Sequence, residues 1–322
     1  MSDTDTDVRK TDAVMLSGAS GMLGSAIGNA LRQRGTKLIR LVRREAHGPD
    51  EARWNPGSRE DGTHGSSIEI ARIEIARLEG IDAAVHLSGA NVAARRWTAQ
   101  YKREMTESRV TTTRVLAEML AGLKNPPKVL VAASAVGFYG NRGDAILDED
   151  SAAGQGYFPE LCAAWEEAAR PAVEARIRVV HLRFGMVLGH DGGALARLVP
   201  MFRLGLGGRL GNGRQWMSWL SEADAVSAVL FALEHSTLAG AVNAVSPQPV
   251  TNAEFTRELG RAVHRPAVMA APAFALRLAF GEMADEALLA STRAVPKRLL
   301  ENGFTFQHPA LMEAFGAALG RS

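Results

Sequence analysis

The chain of 322 residues holds a single cysteine, Cys162, so it can form no internal disulfide and no cysteine-built zinc site, and nothing in it calls for an oxidising compartment. It lacks an excess of one charge as well. Against 37 Lys and Arg stand 35 Asp and Glu, a formal +2, too weak a field to draw in nucleic acid or an anionic membrane in bulk. Long hydrophobic runs are missing: the longest, such as residues 129–138, reach about half of the ~20 residues that a spanning helix needs. The first residues, MSDTDTDVRKTD, contain no apolar stretch of the signal-peptide kind and read as a short disordered tail over 1–12. No two histidines stand at metal-ligand spacing, so no metal is expected. A cytoplasmic enzyme or binding protein remains, with 46% apolar and 22% charged residues, enough for one large core or two modest ones.

Short apolar runs without a helical stripe begin at Ala13, Leu38, Ala83, Val129 and Arg178, and segments with a helical stripe lie between them, notably 25–33, 108–123 and 160–175. This alternation predicts an α/β fold, a doubly wound parallel Rossmann sheet. Between Glu45 and Gly80 the pattern dissolves into Pro and Gly, and Ile68–Arg72 is repeated as Ile73–Arg77, read as a local insertion without function. A helix over 222–235 and a strand near 241–245 return to the sheet. The Rossmann domain is thus expected over 13–190 and 220–246, with 191–219 and 247–322 forming a smaller, mostly helical C-terminal lobe.

Gly18-x-x-Gly21-x-x-Gly24 follows the first strand directly and opens the first helix. In a strand–turn–helix unit the first glycine makes the turn, the second leaves room for a pyrophosphate, and the third lets helix pack on strand. The strand that follows ends in Arg43-Arg44 rather than in the carboxylate that would hold a ribose 2′-hydroxyl. Two guanidinium groups suit a 2′-phosphate, which points to NADP over NAD. With the turn, the segments Leu87-Ser88-Gly89-Ala90, Ser134 to Gly140 and Arg183 to Gly189 carry a family resemblance. The chain resembles the extended short-chain dehydrogenases/reductases, and more narrowly the atypical epimerase family, SDR39U1-like, which ends in a C-terminal domain of unknown function. The narrower features are Arg96-Trp97-Thr98, Ser108-Arg109-Val110, Trp165-Glu166, Gly205 to Gly208, Trp219, Asn243 and Arg265-Pro266.

The resemblance implies NADP(H) held by Gly18, Ser20, Gly21, Met22, Leu23 and Gly24, by Arg43 and Arg44, and by Leu87, Ser88, Gly89 and Ala90. Its nicotinamide is expected near Ser134, Cys162 and the loop Phe184-Gly185-Met186. Ordinary members use a Tyr-x-x-x-Lys pair for proton exchange with the substrate. Here Phe158 and Cys162 occupy those positions, Arg109 replaces an asparagine, and only Ser134 survives. Two readings follow. In one, Tyr139 supplies the acid or base and Arg109 the positive charge beside a developing oxyanion, making an oxidoreductase or epimerase-like enzyme; in the other, the protein binds NADP, has lost catalysis and serves as a regulatory or binding protein. Arg209, Arg214 and Trp216 are expected to hold a small or nucleotide-linked substrate through phosphate contacts and stacking. No motif speaks to oligomeric state.

Overall fold

In the computed structural model, residues 11–54, 56, 77–190 and 192–320 are described. Residues 1–10 of the expected tail and 68–76 of the duplicated segment lie outside them. Seven strands make one parallel sheet: β1 (Ala13–Ser17), β2 (Lys37–Val42), β3 (Glu51–Arg53), β4 (Ala83–His86), β5 (Val129–Ala135), β6 (Arg178–Phe184) and β7 (Gly240–Ala244). Their spatial order is β3-β2-β1-β4-β5-β6-β7. The order reverses between β1 and β4, and a crevice opens there beyond the carboxyl ends of the strands.

The strands are apolar on both faces because helices cover both. Val14 and Leu16 of β1 face one layer, with Ile27 and Leu31 of α1 (Met22–Gln33); Met15, between them, faces the other. That opposite layer receives Leu116 and Leu120. They come from the second half of a long helix in which α2 (Ala99–Thr106) runs through a π-turn at Glu107–Thr111 into α3 (Thr112–Ala121). The helix therefore begins well before the expected residue 108, where Thr98 caps α2 by accepting from the Tyr101 amide. The helix expected over 160–175 divides into α4 (Tyr157–Glu167) and α5 (Arg170–Glu174), and Pro171 stands in the first turn of the second. Strand β3 lies in a region whose composition reads as loop; pairing with the edge of β2, rather than local propensity, makes it a strand.

After the sixth strand come α6 (Leu195–Arg203), α7 (Glu222–Glu234), α8 (Asn252–Ala262), α9 (Ala273–Phe280), α10 (Lys297–Glu301) and α11 (Leu311–Ala318). Helix α7 returns to the sheet beside α1, while α6, α8 and α11 enclose a core of their own around Phe202, Trp219, Phe255 and Phe315. Among the described residues no helix is long and apolar enough to cross a membrane.

The fully buried Asp224 ties the two parts together. Its amide donates to the capping Ser221 hydroxyl at 3.0 Å, and its carboxylate accepts from the amides of Gln307 at 2.6 Å and His308 at 3.0 Å. Asp224→Ala leaves those two amides without an acceptor and is expected to cost about 3 kcal/mol of unfolding free energy. Urea denaturation checks this; a loss below about 1 kcal/mol would remove Asp224 as the link.

Candidate functional site

The glycine turn is explained in part by the protein around it. Gly18 has φ +73°, and a Cβ there would stand 2.8 Å from the Leu87 carbonyl carbon, so the turn presses against the end of β4. A Cβ on Gly24 would overlap the Gly18 carbonyl, which sets how closely α1 packs on the turn. Gly21 is different. A Cβ there would meet only the Gly18 carbonyl oxygen, at an ordinary 3.5 Å, so the protein itself does not demand a glycine. Gly21 also caps α1 without a side-chain hydrogen bond, and the first turn carries no acidic residue, which leaves the helix N-terminus open to an anion.

Gly18, Ser20 and Gly21, Arg43 and Arg44, and the segment Leu87–Ala90 line one cleft of about 850 Å³, walled at its far end by Trp54. Met22, Leu23 and Gly24 do not line it: the Met22 sulfur packs toward Gly189 and Gly192, and Leu23 packs on the core. The arginine pair divides. Arg44 makes a bidentate pair with Glu51 of β3 at 2.7 Å for each bond, and this holds the Glu51 carboxyl down at about 2. Arg40 adds a further bond to Glu51 at 3.0 Å. Arg43 is exposed and makes no hydrogen bond or ion pair among the described residues. The acidic group beside this end of the cleft is thereby neutralised. Glu51 carried no signal in the sequence, because β3 is recognisable only once it pairs.

Beyond β5, five side chains join in a continuous buried network. The Ser134 hydroxyl donates to Glu166 Oε1 at 2.6 Å, and Arg183 grips both oxygens of that carboxylate at 2.8 Å. Arg183 also donates to the Tyr139 hydroxyl at 3.0 Å, and Tyr139 donates to Asn243 Oδ1 at 2.8 Å. Strand register sets Ser134 opposite Arg183. All five residues fall in segments that carry the family resemblance in the sequence, but nothing there shows that they bond to one another.

Several expected roles change. Tyr139 is fully buried, its hydroxyl held between Arg183 and Asn243, and burial pushes its pKa up; it has no open side from which to exchange a proton with a substrate. Arg109 sits behind the Gly89–Ala90 turn, donating to the Ala90 carbonyl at 2.8 Å and lying over the Trp165 ring at 5.0 Å, with no carboxylate paired to it among the described residues. It therefore supports the turn rather than facing the cleft, and burial lowers its pKa. Cys162 is enclosed, and burial, with Glu166 adding to it, pushes its thiol up to about 12. With Ser134, Phe184, Gly185 and Met186, it lies outside the lining of the 850 Å³ cleft, and Ser134 is 3% exposed. Gly185 is needed for a close approach, since a Cβ there would be 2.6 Å from the Ser218 carbonyl oxygen. The Phe158 ring lies against Gly137, and the neighbouring Tyr157 hydroxyl donates to the Lys102 carbonyl at 2.8 Å.

The expected trio Arg209, Arg214 and Trp216 is not brought together. Arg209 lines a separate cleft with residues of α8, and Arg214 is exposed. Trp216 donates to Asp144 at 2.9 Å beneath the Arg293 guanidinium at 4.0 Å. Chain neighbours diverge here because the strand at Gly208–Leu210 pairs with Met269–Ala271, while Trp216–Met217 pairs with Val250–Thr251.

Residues 14–244 match the NAD dependent epimerase/dehydratase family, and residues 271–318 match a domain of unknown function (DUF1731). An epimerase family protein of Mycobacterium bovis is 45% identical over 308 residues, covering 96% of this chain and 98% of its own. The human epimerase family protein SDR39U1 is 34% identical over 309 residues, covering 95% and 98%. Among solved structures, human SDR39U1 (isoform 2) with NADPH superposes with a TM-score of 0.83 at 32% identity, covering 96% of this chain and 99% of that one. A nucleoside-diphosphate sugar epimerase from Corynebacterium glutamicum reaches 0.77 at 32% identity, covering 97% of this chain and 59% of that one.

With its pKa near 12, the Cys162 thiol is expected to resist iodoacetamide at pH 8 in the folded protein and to react fully in urea. Stoichiometric labelling of the folded chain would contradict its burial. Tyr139→Phe, which leaves Asn243 and Arg183 each short of a partner, is expected to lose about 1–2 kcal/mol in denaturant unfolding.

Proposed function

Because this chain belongs to the NAD dependent epimerase/dehydratase family, we propose that it binds NADP(H) in the 850 Å³ cleft and acts as an oxidoreductase or epimerase-like enzyme on a small or nucleotide-linked substrate. One observation carries the cofactor reading: Gly21, at an uncapped helix N-terminus, is a glycine that no protein neighbour requires. A pyrophosphate against the backbone at that point accounts for it. Arg43, with Arg44 fixed by Glu51, supplies charge for a 2′-phosphate, and Glu51, already neutralised, does not repel it. NADPH in the human relative and a nucleoside-diphosphate sugar in the Corynebacterium relative's name support the two ligand classes.

When bound, the dinucleotide supplies the two-electron donor or acceptor. The chain's own contribution is proton handling, which we assign to Ser134 backed by Glu166. As a substrate alcohol becomes a carbonyl, its hydroxyl proton passes to Ser134 Oγ while the serine's own proton moves to Glu166 Oε1, across the existing 2.6 Å contact. Arg183 holds the Glu166 carboxylate in position through two hydrogen bonds. Tyr139 positions Arg183, and Arg109 positions the Gly89–Ala90 turn.

One feature favours a second reading, a catalytically silent NADP-dependent binding or regulatory protein. Phe158 and Cys162 stand where the resemblance implies tyrosine and lysine.

NADPH deuterated at C4, incubated with the protein and a metabolite extract, separates the two. Label is expected in a product by mass spectrometry, with transfer reduced by roughly 10²-fold or more in Ser134→Ala and Glu166→Gln while NADPH still binds. Tight NADPH binding without transfer to any metabolite would establish the silent reading. Replacing Arg43 and Arg44 together by alanine is expected to weaken NADPH by roughly ten- to a hundredfold and NADH little. Equal losses would refute the 2′-phosphate assignment.

A further inference from the structure

A second cleft, of about 770 Å³, opens on the C-terminal lobe and shares no lining residue with the dinucleotide cleft. Three separate elements deliver guanidinium groups to it: Arg209 from the strand at Gly208–Leu210, Arg257 and Arg261 one turn apart on α8, and Arg265 from the segment that follows α8. No Asp or Glu lines it. Among the described residues Glu258 is the carboxylate paired with any of the four, accepting from Arg257 at 3.1 Å and from Arg261 at 2.9 Å. Three positive charges are left over, more than the +2 of the entire chain. Like charges four residues apart weaken a helix by a few tenths of a kcal/mol, so folding alone does not favour this face.

One of the groups is also held in place. Arg265 donates to the carbonyls of Arg203 and His264, each at 3.2 Å. Gly260 lets the 265–267 segment lie close on α8, for a Cβ there would stand 2.8 Å from the Arg265 carbonyl oxygen. Arg209 makes no hydrogen bond or ion pair among the described residues. Donors converging on a concave, acid-free surface suit phosphate oxygens. Val268 and Met269, 80% and 52% exposed, add apolar surface at the rim.

We propose that this cleft binds a soluble phosphorylated ligand carrying at least two negative charges, at a site separate from the dinucleotide. Its volume falls in the range of small-molecule sites, and its concavity suits a small molecule better than a flat lipid surface. Phosphate on a lipid headgroup offers the same chemistry and is distinguished experimentally.

Titration calorimetry of the full chain with ATP and with inorganic pyrophosphate, at about 150 mM salt to screen loose surface attraction, tests the site. Saturable binding is expected both without NADPH and with NADPH in excess, which competes for the glycine turn, and is weakened at least tenfold in Arg257→Gln/Arg261→Gln. Both side chains are exposed, and an unchanged melting temperature confirms that the variant folds. Three results would overturn the proposal: no saturable binding, binding that survives undiminished in Arg257→Gln/Arg261→Gln, or binding to phosphatidylglycerol vesicles without binding to either soluble probe. The Arg257/Arg261 comparison decides the site whether or not the dinucleotide cleft proves to take NADP(H).

Discussion

A guanidinium only 4% exposed has to be neutralised where it stands, and the architecture around Arg183 follows from that requirement. Both oxygens of Glu166 meet it, so α4 is clamped to β6. The Tyr139 hydroxyl accepts a third hydrogen bond from the guanidinium and donates its own to Asn243 Oδ1 of β7, whose amide donates to the Val295 carbonyl at 3.0 Å. One buried pair thereby fixes three strands, a helix and the segment that enters the C-terminal lobe. Ser134 is oriented by the same carboxylate, so the group best placed for proton exchange inherits its position from an interaction that also closes the core.

The dinucleotide cleft rests on a second constraint, the reversal of strand order between β1 and β4. It separates the connections that leave the two strands, and the glycine turn fills the gap with backbone alone. On one side β2 and β3 present Arg43, Arg44 and Glu51; on the other β4 leads to Leu87, Ser88, Gly89 and Ala90. The two walls of the cleft thus belong to opposite halves of one sheet. Glu51 spends its charge on Arg44 and Arg40, and the Arg43 side chain has no ion pair among the described residues.

Legibility in the sequence followed the range of the interaction. Apolar runs bounded by glycine disclosed six of the sheet strands, since a strand buried on both faces must be apolar throughout. Strand β3 escaped because its three residues are ordered by an edge rather than by composition. The glycine turn was readable because its three glycines stand at a fixed spacing between a strand and a helix, although Gly18 answers to Leu87 at the end of a distant strand. Tyr139 was misjudged on proximity in the chain to Ser134; a 3₁₀ turn at Val136–Tyr139 sends its side chain into the core instead. Arg109, expected beside a developing oxyanion, bonds instead to the Ala90 carbonyl behind the Gly89–Ala90 turn, which no pattern reveals. Arg209 and Trp216, seven positions apart, part because each strand pairs with a different distant segment.

Local chemistry therefore determined what the sequence could announce by itself: a parallel α/β sheet, a turn open to a pyrophosphate, an arginine pair in place of an acidic residue, and the loss of tyrosine and lysine at their usual positions. Each depends on spacing of a few residues, which the chain carries in one dimension. Tertiary structure alone decided which charges meet. Glu166 and Arg183 are 17 positions apart, Glu51 and Arg44 are seven, and Tyr139 and Asn243 are 104. Ion pairs and hydrogen bonds act over about 3 Å of space, and the sheet register, not the order of residues, is what brings those atoms within reach.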